Sequence, residues 1–284
     1  MSASIDNLIN VNFTKGRNDL LNFGLKLGGR GDHNPYISPL NRLIILLFSN
    51  NEQGAFYIPR PVVNGTQSLF QDAAGTTPVT ADGDPVGLMI DKSGNGNHAS
   101  QSISGSRPIY RTNGTLHWLQ ADGVDDLLDI PSAVFGLNSS SNSIVSASEC
   151  IRGFYLIGAN GDNGIQQLSH QTGFRSGIRL ASGSQLIGAS SGLYATGTTA
   201  IASTIYNAAG SFEHRINRQY ADSVSFTSVD KDTPSTYALF SRGSQYHSRL
   251  EGKIYGIIIK DSIISEQQRV ASEDYFADLA GVTL

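Results

Sequence analysis

Asp-Gly and Asn-Gly pairs recur along this chain, at Asp82-Gly83, Asn95-Gly96, Asn113-Gly114, Asp122-Gly123 and Asn160-Gly161, and short apolar stretches lie between them. Such pairs supply the positive-φ geometry of tight reversals, so a chain punctuated this way folds into short strands joined by many turns. The apolar stretches predict strands at Leu116–Leu119, Leu127–Ile130, Ile151–Ile157, Gly177–Leu180, Ala200–Tyr206, Phe212–Ile216, Ser223–Phe226 and Lys253–Lys260. The last, with Ile254, Tyr255, Ile257, Ile258 and Ile259, reads as buried on both faces. Composition agrees: 31 glycines and a charged fraction of 15%, against about 25% in ordinary soluble domains, suit an all-β sandwich or barrel.

One helix is predicted over Ser265–Ala280, where Ser265 followed by Gln268 fits a capping box and Gly281 a C-terminal stop. Glu273 projects among Val270, Phe276, Ala277 and Ala280, which points to a helix on the surface. Residues 1–50 read as an arm, with too few clustered apolar residues for a core of their own, and residues 51–284 as the main domain. Within the arm, Leu43–Phe48 is either a buried strand or a helical turn; periodicity does not choose.

A net charge of −4 argues against nucleic acid, which is held by releasing counterions from a basic surface. The single cysteine, Cys150, cannot form an internal disulfide. Leu43–Phe48 is too short to cross a bilayer, and Met1–Asn10 lacks the pattern of a signal peptide, so no membrane insertion is expected.

Leu47, Gly54-Ala55-Phe56-Tyr57, Pro59 and the runs Ser68–Thr80, Gly83–Met89 and Asp91–Ala99 form an ordered series. It resumes at Arg107-Pro108, Asp122–Leu127, Gly252–Gly256 and Gly281–Leu284. Over roughly residues 45–284 the chain resembles phage-encoded laminin-G-like proteins. That resemblance implies a concanavalin-A-like jelly-roll β-sandwich, to which the residues themselves add the extended N-terminal arm and the short C-terminal helix. It implies a structural virion protein of a tailed bacteriophage (tail, fibre or capsid-surface decoration) made in the host bacterial cytoplasm. Residues 1–50 would join it to other virion proteins, in multiple copies or as a homo-oligomer, with adhesion to host glycans. The alternatives are a dedicated receptor-recognition lectin and, third, a polysaccharide depolymerase. The chain departs from the family after Tyr57, where Ile58-Pro59-Arg60-Pro61 replaces an acidic turn, so a surface built on that turn does not carry over.

Asp91, Ser93, Asn95 and Asn97 alternate around Gly96 as in an EF-hand loop, but the closing position is Ser102 rather than a bidentate carboxylate, so the segment reads as a self-bonded turn. Asp122, Asp125 and Asp126, with Asp129 beyond, form the densest acidic cluster and are the candidate metal ligands, for calcium. On a strand, Asp125 and Asp129 would share a face and Asp126 would point away. The glutamates, at 52, 149, 213, 251, 266 and 273, do not form the Glu-x-Asp-x-(x)-Glu pattern that places two carboxylates on one sheet face, so no enzyme is expected. Tyr194, Tyr220, Tyr237 and Tyr246, with Asn95 and Asn97, are the candidate glycan or partner contacts. Trp118, the only tryptophan, is expected to pack between sheets. Arg30-Gly31-Asp32 spells an integrin-binding tripeptide and reads as coincidence.

Overall fold

The computed structural model describes residues 37–136, 141–153, 155–159, 164–170, 173–179, 185–191, 196–225, 236–241 and 249–284. In chain order the first strands are β1 (Gly54–Tyr57), β2 (Val62–Val63), β3 (Thr66–Gln67), β4 (Leu69–Phe70), β5 (Leu88–Met89), β6 (Ala99–Ser100), β7 (Ile109–Thr112), β8 (His117–Asp122) and β9 (Leu128–Pro131). There follow β10 (Asn142–Gly153), β11 (Tyr155–Ala159), β12 (Gly164–His170), β13 (Gly173–Arg179), β14 (Gln185–Ser191), β15 (Thr199–Asn207), β16 (Ser211–Ile216), β17 (Gln219–Ser225), β18 (Thr236–Leu239) and β19 (Leu250–Lys260). Helix α1 (Pro39–Phe48) precedes them and α2 (Glu266–Ala280) closes the chain.

The fold is a concanavalin-A-like sandwich of two antiparallel sheets. One is eight-stranded, β17-β16-β15-β10-β19-β8-β7 with β1 also on β19; the other is nine-stranded, β14-β13-β12-β11-β18-β9-β6-β5-β4. The turn pairs do what their chemistry allows: Gly83, Gly96, Gly114 and Gly123 all have positive φ.

β19 organises the eight-stranded sheet. β10 pairs along one edge, while β1 (opposite 257–260) and β8 (opposite 251–254) share the other. Ile254, Ile257 and Ile259 enter the core between the sheets, and Tyr255 and Ile258 join a second core outside it. A bulge opposite Ala147/Ser148 leaves Tyr255 unmatched and shifts the inward–outward alternation by one residue. Each isoleucine so buried contributes about 1.5–3 kcal/mol.

The second core lies between the outer face of this sheet and the two helices. Ser38 caps α1 by accepting from the Asn41 N–H at 3.2 Å, and Pro39 begins the helix. Leu40, Leu43, Leu47 and Phe48 form its buried face, which settles the Leu43–Phe48 run as helix. The α2 boundaries follow the capping box at Ser265 and Gln268 and the left-handed Gly281.

The expectation of a surface helix fails at Glu273, which is 1% exposed. Its Oε1 accepts from Ser203 Oγ at 2.7 Å, and Arg269, equally buried, donates to Ser203 Oγ at 2.7 Å and to Glu213 Oε1 at 2.5 Å. α2 lies against the sheet because its buried charges meet opposite charges there.

Candidate functional site

The Asp91–Asn97 segment is a structural clip. Asp91 Oδ1 accepts from the N–H groups of Phe56 and Ser93, both at 2.8 Å, and Oδ2 from Ser93 Oγ at 2.8 Å and the Asn97 N–H at 3.1 Å. Burial pushes the Asp91 carboxyl above its usual range, and these donors pull it back. Asn95 and Asn97 both donate their side-chain amides to the Gly54 carbonyl, at 3.1 and 2.8 Å, and Tyr57 Oη donates to the Asn97 carbonyl. Both side-chain amides therefore serve the strand β1 junction, and Asn97 is buried.

The acidic residues come together: carboxylate oxygens of Asp122, Asp125 and Asp126 lie within 4.8 Å of one another. Residues 123–127 form a bend between β8 and β9 rather than a strand, so the expected parity of faces does not hold. Asp125 turns to accept from Ser106 Oγ at 2.8 Å, while buried Asp126 accepts from the Asp122 N–H at 3.0 Å. Asp122 Oδ1 accepts from the Val124 N–H at 2.8 Å. Burial, and then the neighbouring charges of Asp122 and Asp125, hold the Asp126 carboxyl up at about 7, with the Asp122 N–H opposing them. The donor set is that of a hard cation such as calcium, although each carboxylate already spends an oxygen on a local hydrogen bond.

Among the candidate tyrosines, Tyr220 on β17 is 58% exposed, whereas Tyr237 is 0% exposed and packs its ring 4.1 Å from that of Phe135 inside the sandwich. Tyr237 faces the core because it shares with Leu239 the inward parity of β18. Tyr194, Tyr246 and the Arg30-Gly31-Asp32 tripeptide lie outside the described residues.

Trp118 is placed differently from expectation. It sits on the outer face of the eight-stranded sheet, its ring centroid 5.9 Å from that of Tyr255, with Lys253 Nζ 5.6 Å from its own ring centre. Its buried Nε1–H has no acceptor among the described residues. Packing between sheets is excluded by parity: Leu119 and Ala121 take the inward positions of β8, which leaves Trp118 and Gln120 outward.

This outer face is divided in two. The helices cover Phe56, Val145, Ala147, Ile201 and Ile258. The other half carries a row in which Ile109 faces Gln120, Gln120 faces Lys253, Lys253 faces Glu149, and Glu149 faces Thr199. The row crosses β7, β8, β19, β10 and β15, about 19 Å at the usual strand spacing. All five side chains are half-buried. Glu149 accepts from Lys253 Nζ at 3.0 Å, and in the next row toward the acidic turn Arg152 pairs with Glu251 at 2.7 Å. Cross-strand placement of this kind cannot be read from spacing along the chain; the one available signal was polar residues alternating with apolar ones in 117–122 and 249–253.

The fold of the sandwich is similar to that of several solved toxin binding domains. The binding domain of botulinum neurotoxin serotype D superposes with a TM-score of 0.55 at 10% identity, over 84% of this chain and 53% of that one. The binding domain of Paraclostridial Mosquitocidal Protein 1 gives 0.54 at 11%, over 66% and 49%. Botulinum neurotoxin type C, which enters cells dependent upon interaction with two ganglioside molecules, gives 0.54 at 12%, over 80% and 52%. The chain thus spans about half the length of each, and the likeness is one of fold. No protein-family model matches the chain, and no curated protein sequence does.

Proposed function

We propose that this chain is a non-catalytic recognition module that binds glycans through the open half of its eight-stranded sheet. The observation that carries the reading is the polar row across that half-face beside the sole tryptophan. Hydroxyl-rich ligands are held by carboxylates, amides and ammonium groups, and an indole offers an apolar surface to the C–H face of a sugar ring. The fold likeness to binding domains supports it, including one from a toxin that uses gangliosides. Hydrolysis by the carboxylates of this half-face is disfavoured because Glu149 and Glu251 are each committed to a cation, whereas a glycosidase needs a carboxylic acid ready to donate a proton.

A glycan array probed with the whole chain and with Trp118→Ala tests this. Saccharide-selective binding lost in the variant is expected; binding that is unaffected by the substitution would move the site elsewhere, with Tyr220 the next position to test.

A second reading is favoured by the ordered motif series of residues 47–99. It sets the module on a tailed-phage particle, present in many copies, with the segment before α1 acting as the anchor to neighbouring virion proteins. Deleting residues 1–36 should then leave a folded sandwich that no longer joins particles. Incorporation of the shortened chain would refute the anchoring role.

A further inference from the structure

We infer that the open half-face selects neutral glycans over sialylated or sulfated ones. This deepens the glycan reading and rests on it. An anionic sugar needs a cation whose charge is not already met. Three cations on and beside this half-face already have carboxylates: Lys253 pairs with Glu149 at 3.0 Å, Arg152 with Glu251 at 2.7 Å, and Arg111 with Asp82 at 3.2 Å.

Releasing Lys253 to a ligand carboxylate would strand Glu149, whose side chain is only 12% exposed. A charge so enclosed is costly to leave without its partner. At one end of the face the exposed Asp122 sits opposite Glu251 and leads into the acidic turn, so the surplus charge nearby is negative. The chain as a whole carries −4, which repels anions at longer range. A neutral chain meets none of these costs. Its hydroxyls donate to the carboxylates and accept from Lys253 and Gln120 with the ion pairs intact, and a row about 19 Å long suits an oligosaccharide better than a single ring.

The test uses immobilised oligosaccharides in matched pairs, one neutral core with and without a terminal sialic acid or sulfate. Wild-type protein should bind the neutral member at least tenfold more tightly. Glu149→Gln, which frees Lys253, should narrow that ratio. Glu251→Gln frees Arg152, whose side chain is 67% exposed, and should do the same should the first variant fold poorly. Preference of the wild type for the anionic members, or ratios unchanged in both folded variants, would overturn the selectivity while leaving glycan recognition standing. Absence of binding to every core would overturn the recognition itself.

Discussion

Arg269 and Glu273 are each 1% exposed and are held through Ser203 and Glu213. Removing Arg269 leaves the buried Glu273 with only the more distant Arg218, 3.8 Å away, so Arg269→Ala should lower stability by about 3–5 kcal/mol in urea unfolding, and Glu273→Ala, after which Arg269 still pairs with Glu213, should cost less. Arg269→Met with Glu273→Leu should cost clearly less than the sum of the single changes; additive losses would mean the two do not act as a pair. His214 is the second residue with a measurable signature. Burial, and then the Arg269 charge, lower its imidazole to about 4, with Asp222 opposing them. The native state therefore stays neutral while the unfolded chain takes up a proton near 6.5, and stability falls as pH drops from about 6.5 to about 4. His214→Gln should flatten that part of the stability–pH curve, and an unchanged slope would exclude His214 as its source. The sequence marks Asp91–Asn97 as a self-bonded turn because Asp91 bonds Ser93 and Asn97 locally, but it does not show the bonds to Gly54, Phe56 and Tyr57, about 40 residues away, that make the turn a clip on β1. It misplaces Glu273 because Ser203 lies 70 residues away.

At the scale of elements, what local chemistry encodes was readable and what long-range pairing encodes was not. The ends of α2 follow from Ser265, Gln268 and Gly281, and Ser265→Ala should cost about 1 kcal/mol in thermal unfolding. The predicted strands overlap observed ones, because alternation and turn pairs are local signals, but Ile151–Ile157 straddles the junction of β10 and β11, and β12 and β14 were not anticipated. The bulge at Tyr255 left no such mark, nor did the long-range contact that requires Gly256. A Cβ there would sit 2.5 Å from a Phe276 ring carbon, so Gly256→Ala should destabilise α2 docking by more than the Ser265 change, and Phe276→Leu should recover part of the loss. A Gly256→Ala protein as stable as wild type would show that the helix does not rest on this face. The acidic turn was found as a cluster, but its geometry follows from Ser106 and the Asp122 N–H rather than from strand parity.

For the whole molecule, the two helices complete the fold by covering one half of a sheet, and among the described residues no element covers the other half. Neither the division nor the row from Ile109 to Thr199 could be anticipated, since its members come from strands distant in the chain. The half-face therefore emerged from topology, while the tyrosines and asparagines singled out by type alone divide between surface, core and structural clip.

Because Trp118 is the only tryptophan, its fluorescence reports on this surface without background. The most direct measurement is a titration of the intact protein with a neutral oligosaccharide selected on the array, following indole emission and, in parallel, heat of binding. Both signals should saturate together with one dissociation constant. Heat of binding with unchanged tryptophan emission would contradict it and place the ligand away from the open half-face.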